Sequence, residues 1–146
     1  MNAYYGTKQI LAKPMTQHEF NVYMGNVTAT NLPDNSPKGY LVEYLDSPNA
    51  NHPEHDNYVS WSPADVFERA YQPTTAMAFG HAVEAMKAGQ AVARSGWNGK
   101  NMFISLVELS DLNRRDYIEM HTAQGDVVPW VASQSDILAH DWYIIE

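Results

Sequence analysis

The closeness of its turn signals constrains this chain most. Eight glycines and eight prolines, joined by Ser-Pro, Ser-Gly and Asn-Gly dipeptides, divide it into short periodic segments. None of its apolar runs nears the ~20 residues that a bilayer span requires. Short strands and short helices remain, and their order gives an α+β protein: a small, largely antiparallel sheet with short helices, preceded by an N-terminal α+β extension.

Two parts separate near Pro73. In the first, residues 1–73, "TKQILAK" reads as a strand closed by Pro14, and Thr16 with Glu19 forms a capping-box signature for a helix to about Met24. Residues 26–39 read as loop. "YLVEYL" and "YVSWS" read as paired strands around the polar excursion "SPNANHPEHDN", and Ser62-Pro63 reads as the start of a helix over "PADVFERAY". In the second, residues 74–146, "FGHAVEAMKAG" places Phe79, Ala82, Val83 and Met86 on one helical face, with Gly89 at the C-terminal cap. "QAVAR" and "NMFISLVEL" are strands joined by "SGWNGK", and "DLNRRD" is loop. "YIEMHT" and "DVVPW" flank a glycine-containing hairpin bend, "SQSDILAHD" is a short capped helix or turn, and "WYIIE" is a closing strand.

Composition removes several functions. Acidic residues outnumber Lys plus Arg by 17 to 9, for a formal charge of −8, which disfavours duplex nucleic acid. A small anion is still compatible, because local N–H groups and one arginine can outweigh a distant net charge. The chain has no cysteine, so disulfides, thiolate catalysis and cysteine zinc sites are excluded, in keeping with a reducing cytoplasm. The opening "MNAYYGTKQI" has no basic stretch before an apolar core, so no secretory signal is expected.

Few residues form a chemical constellation. "HPEHD" gathers His52, Glu54, His55 and Asp56, but in a polar loop with no helix to align two ligands, so it reads as solvated loop rather than metal site. His81 with Glu84, and His121 near Asp126, are spacings too common to indicate acid–base work. The tryptophans say more. Trp97 lies in a glycine-flanked turn beside Asn98 and Lys100, Trp130 precedes Ser133, Gln134 and Asp136, and Trp142 follows Asp141. Flat apolar surface next to amides and hydroxyls suits a purine, but composition alone favours a core or subunit-interface role for any single tryptophan. Trp142, opening a terminal apolar strand, fits the core best and Trp97 fits it worst.

"MAFGHAVEAMKAGQAVARSGWNGKNMFISLV" followed by "MHTAQGDVVPWVASQSDILAHDWYIIE" resembles the Thoeris anti-defence protein 2 family over residues 77–146. The shared pattern is a Phe-Gly helix start, an Arg-x-Gly-Trp-Asn-Gly-Lys-x-Met turn, a Thr-Ala-x-Gly hairpin, a Pro-Trp-x-Ala-Ser-Gln-x-Asp segment and a final Asp-Trp strand. His121 stands where the family usually has lysine. "GYLVEYLD" and "YVSWSPADVFERAY" resemble an N-terminal extension of longer phage members.

The resemblance implies a phage or prophage protein, acting in the host cytoplasm, that binds and sequesters a cyclic ADP-ribose isomer without cleaving it. It implies a homo-oligomer, dimer or tetramer, with pockets between subunits and no cofactor; cyclic oligonucleotides are a second implied ligand class. By the same resemblance Phe79 and Trp97 would wall the adenine, with Trp130 next, and Asn98 and Met102 would line the turn. Ser133, Gln134 and Asp136 would hydrogen-bond base or riboses. Arg94 and Lys100 would meet the pyrophosphate, helped by the Gly96 and Gly99 N–H groups. A structural or interaction module, its tryptophans packed at interfaces, is the alternative. A nucleotide-cleaving enzyme lacks candidate catalytic residues.

Overall fold

The computed structural model describes residues 1–29, 34–110 and 113–145. The expected loops over 26–39 and "DLNRRD", and the end of "WYIIE", lie partly outside the described residues. The chain divides into two compact units, Met1–Tyr71 and Gln72 onward. Among the described residues no helix is long and apolar enough to cross a membrane.

The first unit is a three-stranded antiparallel sheet ordered β1 (Ile10–Pro14), β2 (Gly39–Tyr44), β3 (Tyr58–Pro63), with helices α1 (Gln17–Tyr23) and α2 (Ala64–Ala70). The capping box forms as expected: Thr16 Oγ1 accepts the Glu19 N–H, and the Glu19 carboxylate accepts the Thr16 N–H. The β2–β3 register sets Tyr40, Val42 and Tyr44 opposite Ser62, Ser60 and Tyr58. Partners across a ladder share a face, so Tyr40 on this face meets α2, stacking on Phe67 at 4.0 Å. Leu41, Glu43, Val59 and Trp61 occupy the other face, where the Trp61 indole N–H donates to Met15 O at 2.9 Å. β2 is therefore shielded on both sides, and Leu41, Val42 and Val59 are buried.

One helix start moves. Ser62 and Pro63 remain in the ladder with Tyr40 and Gly39, so Pro63 sits at the cap and α2 opens at Ala64 without a side-chain cap. Strand pairing holds the Ser62 backbone extended, and its hydroxyl lies 3.4 Å from Pro63 O instead of over the first helical turn.

The second unit holds helix α3 (Phe79–Lys87), strands β4 (Val92–Arg94), β5 (Phe103–Val107), β6 (Tyr117–His121) and β7 (Val127–Pro129), the single-turn helix α4 (Gln134–Ile137) and strand β8 (Trp142–Ile144). Its sheet is antiparallel with order β7-β6-β5-β4-β8. The register aligns Val92, Ile104, Ile144 and Met120, and α3 packs Ala82, Ala85 and Met86 into the same core with Met77 and Trp142. Gly89 ends α3 with φ +84°, the left-handed cap expected of it. Strand β5 is shorter than its apolar run, because Asn101 adopts φ 57° and delays the ladder to Phe103. The β6–β7 hairpin closes through Thr122 and Asp126, with Gly125 at φ +91°.

Gly39 tests the first unit directly. A Cβ there would lie 2.2 Å from Ser62 O and 2.5 Å from the Trp61 ring, so β3 can approach only a glycine. Gly39→Ala is expected to destabilise the unit by about 1–3 kcal/mol through overpacking. Urea unfolding followed by circular dichroism checks this against Gly6→Ala, where a Cβ meets nothing within 4 Å.

Candidate functional site

The turn from Ser95 to Met102 leaves β4 and enters β5, and Asp141 ties down its start. Asp141 O accepts the Ser95 N–H at 3.1 Å, and Asp141 Oδ2 accepts the Gly96 N–H at 2.7 Å. The approach needs glycine, since a Cβ on Gly96 would sit 2.9 Å from that oxygen. At the crest, a Cβ on Gly99 would strike the Met102 thioether at 2.0 Å and meet Ala123 at 3.2 Å. Met102 is thus folded beneath its own turn, against the tip of the β6–β7 hairpin.

Four aromatic rings converge below. Trp142 is fully buried, Phe79, Trp97 and Trp130 partly so. Trp97 meets Trp142 edge-on at 5.3 Å between centroids and Trp130 at 6.2 Å. Phe79 lies 5.3 Å from Trp142 and 6.0 Å from Trp130. These are favourable edge-to-face and tilted separations. Trp97 is therefore a flank of the core as well as a turn residue, which its glycine-rich surroundings did not suggest.

A carboxylate fixes the arrangement. Asp136 Oδ1 accepts from Arg94 Nη1 at 2.8 Å and from the Trp97 indole N–H at 3.1 Å. Oδ2 accepts the Ser133 hydroxyl at 2.6 Å and the Ser133 N–H at 3.1 Å. Ser133 and Asp136 are also the capping box of α4, and Asp136 O accepts the Trp142 indole N–H at 3.0 Å. Arg94 Nε reaches Asp141 Oδ1 at 2.8 Å, and the guanidinium lies 5.9 Å from the Trp142 ring. Hydrogen bonds to Asp141 and Asp136 raise the Arg94 pKa above its ordinary value. The Arg94 contact in turn lowers Asp141. Burial works to raise the Asp136 pKa, and the hydrogen bonds from Ser133, Arg94 and Trp97 overcome it, lowering it from 3.8 to about 2.

The structure thus gathers Phe79, Arg94, Trp97, Trp130, Ser133 and Asp136 into one cluster. Arg94 spends its charge on Asp136 and Asp141, and the Gly96 N–H is spent on Asp141 as well. One guanidinium beside two carboxylates leaves no surplus positive charge. Asn98, Lys100 and Gln134 are exposed, which leaves Lys100 as the turn's outward cation. Asp141 completes the cluster and is absent from the sequence-derived set; the acid beside a buried tryptophan, with a lone arginine to pair, was the available signal. A cavity of about 410 Å³ lies elsewhere, lined by Met86, Lys87, Ala88, Gly89, Leu106 and Glu108, none of them in that set.

The other candidate pairs separate. Glu84 bonds Lys87 at 2.8 Å, and His81 Nδ1 is buried without a partner. His121 stacks on Phe103 at 4.1 Å and 12° and meets Glu119 at 3.3 Å, while the Asp126 N–H turns to Thr122 Oγ1. Among the described residues no group of three His, Asp or Glu is placed to hold a metal. "HPEHD" is not a free solvated loop, however, since His55 is bonded to Glu43 at 2.7 Å.

The lowered Asp136 pKa makes its contribution complete above pH 3.8 and lost as pH falls toward about 2. The shift corresponds to about 2 kcal/mol. Asp136→Asn is expected to cost about 2 kcal/mol near neutral pH, since it leaves Arg94 with Asp141 as its one carboxylate partner and turns an amide toward donors that need an acceptor, and to shrink the acid-dependent loss by the amount Asp136 supplies. Urea midpoints across the acid range measure both.

A family model described as the Thoeris anti-defense 2-like domain matches residues 77–145, a span that contains every residue of the cluster. Thoeris anti-defense 2 of Bacillus phage SP01 is 41% identical over 87 residues, covering 49% of this chain and 97% of that protein. With almost the whole of that relative matched, the chain belongs to the Thoeris anti-defense 2 family.

Proposed function

We propose that this protein is a phage counter-defence sponge: it binds a cyclic ADP-ribose-type signalling nucleotide, holds it without cleavage, and so keeps it from a Thoeris effector. The observation that carries this reading is the family relationship at 41% identity, joined to an aromatic wall already fixed in place. Trp97 is held by its indole N–H and by two neighbouring rings, so a planar base meets a preorganised surface and little ordering opposes binding. Each stacked contact would contribute on the order of 1–3 kcal/mol, by analogy with single-stranded nucleic acids. In this reading Phe79, Trp97 and Trp130 supply the wall, Asn98, Met102, Ser133 and Gln134 line it, and Lys100 meets the pyrophosphate. Arg94 and Asp136 hold the wall upright.

The protein acts in the host cell as a homo-oligomer whose neighbouring copy completes the pocket. Val131 and Leu138, 89% and 72% exposed, are available for burial against a second copy. Val131→Asp with Leu138→Asp is expected to shift the protein to monomer by light scattering while leaving circular dichroism unchanged.

Binding is tested by incubating the protein with cyclic ADP-ribose isomers and cyclic dinucleotides, then following thermal unfolding. A bound ligand at 100 times its Kd stabilises by about 2.7 kcal/mol. Ligand released by heat should be chemically intact by mass spectrometry; a cleaved product would overturn the sponge. A flat thermal response across the panel favours an interaction module. Trp97→Ala perturbs the core as well as the wall, so Lys100→Ala and Asn98→Ala are the cleaner variants. Each should weaken binding by about tenfold, the equivalent of about 1.4 kcal/mol, with the unliganded melting temperature unchanged.

A further inference from the structure

The first unit carries a hydrogen-bonded chain with no part in the proposed binding. Residues 47–57 fold back so that two histidines flank Tyr23 of α1. His52 stacks on the Tyr23 ring at 4.0 Å and 23°, and His55 meets it edge-on at 6.0 Å. The partners of each imidazole define where its hydrogens are. His52 Nε2 lies 3.2 Å from the Tyr23 backbone carbonyl, which only accepts, so Nε2 carries hydrogen. Its Nδ1 accepts the Glu54 N–H at 3.3 Å and carries none. These contacts select the neutral Nε2–H form.

His55 is placed differently. Its Nδ1 is 2.7 Å from a Glu43 carboxylate oxygen, so it donates. Its Nε2 is 3.0 Å from Tyr23 Oη, and the single hydroxyl hydrogen of Tyr23 goes to Glu54 Oε2 at 2.8 Å. With that hydrogen committed, Tyr23 Oη can only accept from the imidazole, and Nε2 must donate. The three contacts coexist only when His55 carries both hydrogens. When the ring is neutral, Nε2 becomes the acceptor, and the Tyr23 hydroxyl can satisfy it only by leaving Glu54.

We infer that Tyr23 is a two-position latch on the loop 47–57, set by the charge of His55. The imidazolium directs the hydroxyl to Glu54 and fastens that side chain to α1; the neutral imidazole takes the hydroxyl hydrogen and frees Glu54, while His52 and His55 keep the rest of the loop on α1. The asymmetry of burial decides which contact moves. His55 and Glu43 side chains are 14% and 11% exposed, and Glu43 is further held by the Asn57 N–H at 3.2 Å and amide at 3.0 Å. Glu54 is exposed, so water replaces its lost bond at little cost. The titratable and charged groups around the latch are His52, whose ring lies 5.9 Å from that of His55, Glu43 from β2, Lys13 from β1 at 5.1 Å from the Tyr23 ring, and Glu54 with Asp56, two residues on in the loop. Glu19, on α1, is turned to the Thr16 N–H at the start of that helix.

The test is nitrogen-detected NMR of the histidine rings in the full chain, from about pH 5 to pH 9, a range that spans ordinary imidazole titration. His55 should show both nitrogens protonated at the acid end and only Nδ1 protonated at the alkaline end. Across the same midpoint, amide protection at Glu54 and its chain neighbours, corrected for intrinsic exchange, should fall about fivefold. Glu54→Ala removes the exposed acceptor without touching the shielded pair and should abolish that step; Tyr23→Phe should abolish it too. A neutral His55 protonated at Nε2, a protection level that ignores the His55 titration, or an unchanged step in Glu54→Ala would each overturn the latch.

Discussion

The second unit depends on one carboxylate. Asp136 caps a helix of a single turn, pairs with the arginine at the end of β4 and accepts the indole hydrogen of Trp97. It joins two stretches far apart in sequence, residues 94–97 and 133–142. A charged group this shielded costs free energy unless every lone pair is used; here four donors use them. The aromatic rings supply apolar area, and the carboxylate sets their angles.

That division of labour assigns different tasks to residues that look alike in the sequence. Arg94 and Lys100 are both cations beside Trp97. The first is neutralised inside the cluster and the second stands outside it, so any phosphate that the turn meets finds Lys100 first. Ser133 and Gln134 are neighbours, yet the Ser133 hydroxyl is committed to Asp136 and Gln134 is exposed. Support and contact alternate along the chain, and a short turn can therefore be both rigid and receptive.

Much of this was legible in the residues. Helical spacing from Phe79 and a glycine at the cap located α3, the Thr16–Glu19 box located α1, and glycine bends located the hairpin. Local rules succeed where local atoms decide. They fail where the deciding partner is distant: Ser62 has the chemistry of a helix cap, but pairing with Tyr40 holds it in a strand. Trp97 looked wet because its neighbours are glycines, whereas its indole partner lies 39 residues away. Asp141 was noted only as the neighbour of Trp142 and stayed outside the site set for the same reason, since its role appears only once β8 lies beside β4. The "HPEHD" loop read as solvated because the Glu43 partner of His55 lies 12 residues back and meets it only once the loop folds onto β2.

The Arg94–Asp136–Asp141 group has a consequence for how the fold can vary. Neutralising the arginine alone leaves the shielded Asp136 and the one-third-exposed Asp141 without their shared cation, and neutralising Asp136 alone leaves the Trp97 and Ser133 donors without a charged acceptor. Contacts this strongly coupled do not add, so each single step away from the trio is steeper than the sum of its parts suggests. The exposed positions on the same turn carry no such coupling. Asn98 and Lys100 can therefore change one at a time, while the three charges that anchor the turn can change only together.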